Sequence, residues 1–341
     1  MAGKEQHHIW RFLQKGFARK EFGDDHLWVY TREEPPRRTV ARRHGVESFF
    51  YGEANSVADS NITSFENTAK HVINVARTSE EGASLPSAKI APLISHLEMR
   101  SLFLRAESSK LAEQAVRRLS EILSLKEDAA KLMLLYFERH PELLEKYVRD
   151  QGLDGPIVDL YTSNLRTMLP AEIRKRSSQL AEMAKLVFEP MIGQIAEIAK
   201  NSHIKALEAD FSETERTNLH LAFTYSVQRF PGEALVLPDT NLACLNRKDI
   251  RPVSSKGMNH KEILLPISSE VMIVGHLGKR ESRSLPEVRR ILATCAYDNF
   301  VAEEFSDELA GLSKRIGKNA RLLSQSELSK VLSFKSLVSD I

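Results

Sequence analysis

Residues 108–123 read SSKLAEQAVRRLSEIL, and their pattern is typical of the long middle of this chain. The apolar side chains recur three or four positions apart, which places them on one face of an α-helix: Leu111, Ala115, Leu119 and Ile122. Further along, the almost wholly apolar run from Asp128 to Phe137 predicts a central, buried helix. We therefore expect a large helical body.

Serine and proline residues suggest where other helices begin. Ser64 has the character of an N-cap, which predicts a helix after it. Pro170 predicts the start of a long helix. Pro190 is expected to kink or break that helix, because proline lacks a backbone donor and its ring clashes with the preceding turn. The last forty residues, rich in serine and lysine, also have a helical character.

The first part of the chain has a different, β-like character. Residues 27–30 are aromatic and β-branched, and the prolines in 33–36 indicate a turn. Residues 37–43 are then expected to return as the second strand of a hairpin. Phe49-Phe50-Tyr51 predicts a third short strand.

Strand signals return after about residue 212. Short apolar runs predict strands at residues 234–237, 263–266 and 271–274, and Ser284 with Pro286 predicts the start of a helix. Residues 212–225 combine a capping-box spacing with strand-like alternation, so helix and strand both stay open there.

The expected fold class is α+β, mostly α, with a small N-terminal β-hairpin unit, a large helical middle and a C-terminal antiparallel β patch followed by helices. The corresponding boundaries are 1–62 for the β-rich unit, 63–211 for the helical body and 212–341 for the C-terminal α+β portion. We expect the last portion to pack on the body, so that the chain forms one compact domain overall.

Bulk composition is that of a soluble globular protein, with 341 residues, 42% hydrophobic and 28% charged side chains, and a formal net charge of +2. Cys244 and Cys295 are too few for a disulfide framework, which favours a reducing cytoplasm. The N-terminus lacks the apolar segment of a secretory signal, and no run is long enough to predict a membrane span. We therefore expect no membrane association.

Several short motifs occur in a fixed order along the chain: Gln6–Leu13, Trp28-Val29-Tyr30, Phe50-Tyr51 followed by Glu66, Arg100-Ser101, Asp239, and Pro266–Ser269. Together they resemble the family called domain of unknown function 4238, whose opening reads Gln-His-x-(Ile/Val)-Pro-x-x-(Phe/Leu)-Leu. The resemblance spans nearly the whole chain, although Trp10 stands where the family has proline, and Pro238 and Asn241 depart from its Ser-Asp-x-Pro turn. It implies no established reaction, but it suggests an accessory gene with a role in phage defence.

Four residues of these motifs form the candidate catalytic set: Gln6, His7, Arg100 and Asp239. If they converge, His7 would act as general acid or base, Asp239 would orient its ring, and Arg100 would bind a phosphate or a developing anion. Such a set suits metal-independent phosphodiester cleavage. The alternative is a buried polar network that attaches the N-terminal segment to the helical body.

Metal and cofactor sites receive little support from the sequence. His7 and His8 with Asp239 could in principle bind a metal ion, but no His-x-x-x-His or Cys-x-x-Cys spacing accompanies them, so no metal is expected. The string 275–280 is interpreted as a turn, since it lacks a complete phosphate-loop pattern. No cofactor is expected.

A candidate nucleic-acid surface lies on the N-terminal hairpin, where basic and aromatic side chains alternate: Arg37, Arg38, Arg42, Arg43, Trp28 and Tyr30. Lys15, Arg19 and Lys20 precede it, and residues 174–176 form a second basic run. A protein that contacts the phosphate backbone of a nucleic acid and also stacks on its bases needs both basic and aromatic side chains. The alternative is a solvated hairpin whose arginines pair with Glu33 and Glu34.

These observations favour a cytoplasmic accessory protein that binds or cleaves DNA or RNA, with phage defence as a hypothesis. Two alternatives stay open. One is a non-enzymatic helical scaffold that binds a protein partner, and the other is an enzyme that acts on a small phosphorylated metabolite. The sequence does not determine the oligomeric state.

Overall fold

The computed structural model describes residues 5–53, 56–208, 210, 214–246, 249–254, 260–322 and 324. The described chain divides into two compact units. The first unit combines residues up to 107 with residues 200–322, and the second contains residues 108–199. The predicted N-terminal and C-terminal portions therefore belong to the same unit.

The strands of the first unit are β1 (Glu5–His7), β2 (Arg19–Glu21), β3 (Asp24–Thr31), β4 (Arg37–Val40), β5 (Val46–Ser48), β6 (Ser84–Leu85), β7 (Thr224–Arg229), β8 (Leu237–Pro238), β9 (Ala243–Leu245), β10 (Ile250–Arg251), β11 (Glu262–Pro266), β12 (Val271–His276) and β13 (Asn299–Ala302). They form three antiparallel sheets in the described part of the chain. One pairs β1 with β5, one has the order β10-β9-β11-β12-β7-β6, and one has the order β2-β3-β13-β8 with β4 also paired to β3.

The helices are α1 (Arg11–Gln14), α2 (Val57–Thr78), α3 (Ser87–Met99), α4 (Leu102–Ser124), α5 (Lys126–Arg139), α6 (Glu142–Asp150), α7 (Pro156–Lys175), α8 (Ser177–Leu207), α9 (Glu215–Leu221), α10 (Leu285–Cys295) and α11 (Asp307–Ser313). Short 3₁₀ turns cover Lys15–Phe17 and Ala41–Arg43. In the second unit, α7 packs against α5 and α6. None of the described helices has both the length and the apolar character needed to cross a membrane.

The core of the first unit lies around its six-stranded sheet. Strand β11 is buried along its whole length, as is β12 up to Gly275. Helix α10 contacts β8, β9 and β10, while α2 contacts β12 and α3 contacts β7. Strands covered on both faces need apolar side chains at every position, which explains the continuous runs at 263–265 and 271–274.

The expected fold class is confirmed, including the hairpin of β3 and β4, the strands β11 and β12 and the start of α10 after Ser284. Helix and strand were both left possible for residues 212–225, and the described part of this segment contains both: α9, with Thr214 as its N-cap, and then the start of β7. Of the last forty residues, the described part contains α11, and residues 323 and 325–341 lie outside the described residues.

Several expected boundaries are wrong, each for a local reason. Phe49–Tyr51 is a turn rather than a strand, because Phe49 has a φ of 56° and pairing ends at Ser48. The helix expected after Ser64 begins at Val57, where the Ser56 side chain accepts a hydrogen bond from the Asp59 backbone N–H.

Two expectations for the helical body are also wrong, and a third is wrong in part. Tyr136, on the helix expected to be buried, is 43% exposed, and Lys131 on the same helix is exposed as well, so part of α5 faces solvent. Pro170 lies inside α7, whose first turn contains Pro156 instead. Pro190 lies within α8 and does not break it, since the helix continues to Leu207, while a kink at Pro190 stays a prediction.

Candidate functional site

Three of the four candidate catalytic residues lie close together in the first unit: Gln6, His7 and Arg100. Strand β1 contributes the first two, and its pairing with β5 places Gln6 opposite Glu47 and His7 opposite Val46. Successive side chains of a strand point to opposite faces, so Gln6 is buried while His7 is half-buried. Arg100 follows the last residue of α3.

The side chain of Gln6 holds the turn after β5 in place. Its Oε1 accepts a hydrogen bond from the Tyr51 backbone N–H at 2.5 Å. Its Nε2 donates to the Gly52 carbonyl at 3.3 Å and to Asp59 Oδ1 at 3.5 Å. Both ends of the amide are therefore engaged by the protein itself, as expected for a buried polar group.

Arg100 is only 1% exposed, and the protein surrounds its guanidinium. The two terminal nitrogens donate to the Glu66 carboxylate and to the His7 backbone carbonyl. The Arg100 guanidinium carbon also lies 5.3 Å from the Trp10 ring centroid and 4.9 Å from the Tyr51 ring centroid. Such cation–π contacts and ion pairs stabilise a buried cation. Arg100 thus attaches the N-terminal segment to α2 and α3.

The imidazole of His7 contacts a different part of the chain. Its Nδ1 lies 3.2 Å from the carbonyl oxygen of His44. Burial lowers the pKa of His7, and the charge of Arg100 lowers it further, against the opposing effect of the His44 carbonyl. The ring is therefore mainly neutral near pH 7. It shares no hydrogen bond with Asp239 in the described residues.

Asp239 follows β8 and is 1% exposed. Its Oδ1 accepts from the Tyr297 N–H at 2.7 Å, and its Oδ2 accepts from the Asp298 and Asn299 N–H groups at 2.7 and 3.1 Å. Burial raises the pKa of Asp239 to about 7, an effect that outweighs these three bonds. The carboxylate thus holds the chain between α10 and β13.

The predicted catalytic set therefore divides into two structural groups. Gln6, His7 and Arg100 form one group, and Asp239 forms part of another. Among the described residues, no hydrogen bond or ion pair joins Asp239 to His7 or Arg100. This geometry corresponds to the alternative reading of the motif residues as a buried polar network.

Metal binding by the N-terminal histidines also lacks geometric support. His8 is buried against Phe50, with ring centroids 5.8 Å apart. Burial lowers its pKa to about 3, with smaller contributions from the neighbouring charges of His44 and Arg100. In the part of the chain that the structure describes, no group of three or more His, Cys, Asp or Glu side chains is placed to hold a metal ion.

The hairpin surface is more neutral than its sequence suggests. Arg38 pairs with Glu21, and Arg42 lies 3.1 Å from Asp24. Glu33 and Glu34, the partners expected from the sequence, pair with neither arginine in the described residues. Arg37 and Arg43 are exposed and have no carboxylate partner there.

The two hairpin aromatics do not form a stacking surface together. Tyr30 is fully buried, stacks on Phe300 with centroids 5.0 Å apart, and donates to the Glu304 carbonyl at 3.0 Å. Trp28 is half-buried, and its ring centroid lies 5.3 Å from that of Phe305. Trp28 is thus the one candidate base-stacking residue that retains exposed surface.

Sequence reasoning missed a cleft of about 1190 Å³ between the strands β9–β12 and helix α10. Among the described residues, five lysines and arginines and three glutamates line it. All three glutamates contact the same residue, Arg283: Glu262 at 2.6 Å, Glu281 at 2.7 Å, and Glu287. The string 275–280, interpreted from the sequence as a turn, forms the end of β12 and the loop that borders this cleft.

Three cations of the cleft form no ion pair in the described residues. Lys261, Lys279 and Arg290 are exposed and have no carboxylate within 4.0 Å in the described residues. Lys261 precedes β11, Lys279 lies in the loop after β12, and Arg290 is on α10. We call these three residues the basic cleft. The basic pair Lys279-Arg280 is visible in the sequence. The sequence does not show that Arg280 has an acidic partner while Lys279 has none in the described residues.

A second missed feature is a buried polar cluster around Glu98, which is fully buried. Its carboxylate accepts from Arg216 at 2.7 Å, from the Ser254 N–H at 2.6 Å and lies 3.1 Å from His220 Nε2. Burial raises the pKa of Glu98, but the charges of His220 and Arg216 outweigh it and lower the pKa to about 2.

This cluster does not have the geometry of a catalytic triad. Ser254 Oγ lies 3.2 Å from His220 Nε2, the same ring nitrogen that Glu98 contacts. A triad requires the carboxylate on the other nitrogen, so that it orients the ring toward the nucleophile. Among the described residues, the buried His220 Nδ1 has no hydrogen-bond partner. The cluster therefore links α3, α9 and the segment after β10.

Comparisons of this chain with protein-family models, curated proteins and solved structures gave no match. The resemblance to domain of unknown function 4238 therefore stays a prediction from the sequence motifs.

Proposed function

We propose that this protein binds nucleic acid through contacts of the basic cleft with the phosphate backbone. The observation that carries the proposal is a cleft of about 1190 Å³ with three exposed cations that have no carboxylate partner among the described residues. Lysine and arginine side chains that neutralise phosphates release condensed counterions, which supplies most of the affinity for a nucleic-acid backbone.

Local pairing supports this choice of surface over the hairpin. In the cleft, all three glutamates contact Arg283, and Arg280 pairs with Glu81 at 3.1 Å. Among the described lining residues, the five cations outnumber the glutamates, and the other three cations have no carboxylate within 4.0 Å. On the hairpin, Arg38 and Arg42 already have acidic partners. Arg37 and Arg43 also stay unpaired on the hairpin in the described residues, but the unpaired cations of the cleft line one concave surface. A concave surface focuses the field of its charges on an external anion, so the cleft is the better phosphate-binding surface.

The side chains of the cleft favour a duplex as the ligand. The lining includes no Phe, Tyr or Trp among the described residues. Binding of single strands depends on bases stacked on aromatic rings, whereas backbone contacts suffice for a duplex. Because phosphate contacts carry no sequence information, we expect binding without strong sequence preference.

The proposal assigns no cleavage to Gln6, His7, Arg100 or Asp239. Arg100 and Asp239 are buried, both terminal nitrogens of Arg100 donate to protein groups, and both carboxylate oxygens of Asp239 accept backbone hydrogen bonds. A general acid or a phosphate clamp needs access to the substrate. We therefore propose a binding protein, with these four residues in structural roles.

Fluorescence anisotropy with a short labelled DNA duplex tests the proposal at several salt concentrations. We expect the triple variant Lys261→Ala/Lys279→Ala/Arg290→Ala to bind more weakly. The slope of log affinity against log salt should become shallower by about 3, since each lost phosphate contact removes roughly 0.9.

The matched control is Lys20→Ala/Arg37→Ala/Arg43→Ala, which removes three exposed charges from the hairpin region. It should retain wild-type affinity and slope. If the control variant loses binding and the cleft variant does not, the hairpin is the binding surface. If wild-type protein shows no binding at low salt, the proposed function is wrong.

A further inference from the structure

We propose that two copies of this chain associate through one apolar face of α7 in the second unit, with the two helices antiparallel. The face consists of Ile157, Leu160, Tyr161 and Met168, and we call it the α7 face. These side chains are between 44% and 63% exposed. Large apolar side chains that share an exposed stripe are typical of an interaction surface rather than of isolated surface residues.

The α7 face is separate from the side by which α7 packs in its own unit. Val158, Thr162 and Ile173 are buried and lie on the side that faces α5 and α6. Residues 157, 160, 161, 164 and 168 follow the three- and four-residue spacing of one helical stripe. The helix thus has two apolar stripes, of which the described residues cover one.

The distribution of charge along α7 favours a second copy of this chain as the partner that covers the α7 face. Near its start, Asp154 is 90% exposed and shares Arg149 with Glu145. At its end, Lys175 and Arg176 share the single carboxylate of Glu172, and Arg174 has no carboxylate partner in the described residues. The start carries excess negative charge and the end excess positive charge. An antiparallel pair places unlike ends together and also opposes the two helix dipoles.

The stripe is self-complementary about its centre. With a two-fold axis at Asn164, Leu160 of one copy lies against Met168 of the second, and Ile157 lies near Ala171. The exposed amide of Asn164 can then donate to and accept from its own copy across the axis. A single polar residue in an apolar helix pair is a known means of setting register.

Sedimentation equilibrium over a concentration series tests the proposal on the full chain. We expect a reversible monomer–dimer equilibrium in wild type and at least a tenfold weaker association in Leu160→Glu/Met168→Glu. The control Ser163→Glu/Arg166→Glu adds carboxylates to the same helix outside the α7 face and should dimerise like wild type.

Oxidative cross-linking gives a second readout of the geometry. Asn164→Cys should form a disulfide-linked dimer, because both copies of this position meet at the axis, while Ser163→Cys should not. Cys244 and Cys295 are fully buried and do not interfere.

A monomeric wild-type protein at high micromolar concentration would overturn the proposal. The proposal would also be overturned if the variant Leu160→Glu/Met168→Glu dimerised as strongly as wild type. A monomer whose melting temperature falls in this variant would show that the α7 face is covered within one chain. All of these results are independent of nucleic-acid binding, so failure here leaves the proposed function to its own test.

Discussion

Arg100 donates a hydrogen bond to the backbone carbonyl of His7, a residue 93 positions earlier in the chain. The same guanidinium pairs with Glu66 on α2. One buried side chain therefore connects the first strand with two helices. The contact uses the main chain of His7, so it depends on the position of this residue rather than on its imidazole.

Removal of Arg100 should destabilise the first unit strongly. Arg100→Ala leaves the His7 carbonyl without its donor and a cavity beside Trp10 and Tyr51, so we expect a loss of about 3–5 kcal/mol in the free energy of unfolding. Arg42→Ala removes an exposed ion pair and should change it by less than about 1 kcal/mol. Urea denaturation measures both. A small effect of Arg100→Ala would show that the N-terminal segment contributes little to folding.

The variant Asp239→Asn should lower the free energy of unfolding, because it replaces one of the two carboxylate oxygens that accept backbone hydrogen bonds. The asparagine amide has one acceptor oxygen and directs an NH₂ group toward a backbone N–H, so at least one of the three bonds is lost. At pH 8, where the carboxyl is ionised, we expect a cost of about 2 kcal/mol in urea denaturation. Asp298→Asn, at an exposed position, is the control and should be near neutral. Equal stability of both variants would contradict this role of Asp239.

His8 should make folding sensitive to acid. Its pKa in the folded protein is about 3, below the ordinary 6.5, so the unfolded chain binds a proton that the folded chain excludes. The contribution of neutral His8 to the free energy of unfolding is therefore present above pH 6.5, and it is lost as the pH falls toward 3. Between pH 6.5 and 4, this amounts to about 3 kcal/mol.

The variant His8→Phe keeps a ring beside Phe50 but removes the titration. Its free energy of unfolding should fall less than that of wild type as the pH is lowered from 6.5 to 4. His71→Phe alters an exposed histidine and should retain the wild-type pH dependence. Parallel curves for His8→Phe and wild type would mean that His8 does not exclude the proton.

Gly16 should tolerate no side chain. A Cβ atom there would lie 2.4 Å from the Ile267 carbonyl oxygen and 2.4 Å from a terminal nitrogen of Arg77. Because the first neighbour is backbone, relief requires movement of the chain, and we expect Gly16→Ala to cost about 1–3 kcal/mol. In contrast, Gly311 lies in α11 with open space around its Cβ position. Gly311→Ala should stabilise by up to about 1 kcal/mol, as thermal melts can show.

The elements that were predicted correctly are those whose burial leaves a periodic or continuous apolar pattern. The strands β11 and β12 and the helix α10 belong to this group, because their side chains meet the core at most positions. Boundaries were less accurate where capping decides them. Ser56 and Ser64 are chemically equivalent candidates, and only the hydrogen bond to Asp59 selects the first.

The candidate site was predicted only in part. The motif comparison singled out Gln6, His7 and Arg100, which do lie together, and Asp239, which does not. Asp239 binds the backbone N–H groups of residues 297–299, and main-chain donors are the same for every residue except proline. No sequence pattern therefore identifies such a partner. The basic cleft was missed for a similar reason, since its free charge depends on which carboxylates pair with Arg280 and Arg283, and the partner of Arg280, Glu81, lies 199 positions earlier in the chain.

The sequence by itself determined the mixed, mainly helical composition, the N-terminal hairpin and the main strands of the C-terminal part, because local side-chain periodicity encodes which face of an element is buried. The tertiary structure alone decided which polar groups meet. It buried Arg100 and Asp239 in separate networks and paired Arg38 and Arg42 with Glu21 and Asp24. It also left Lys261, Lys279 and Arg290 exposed, with no acidic partner in the described part of the chain. These outcomes depend on contacts between residues far apart in the chain, where electrostatics and desolvation act through distance in space rather than along the sequence.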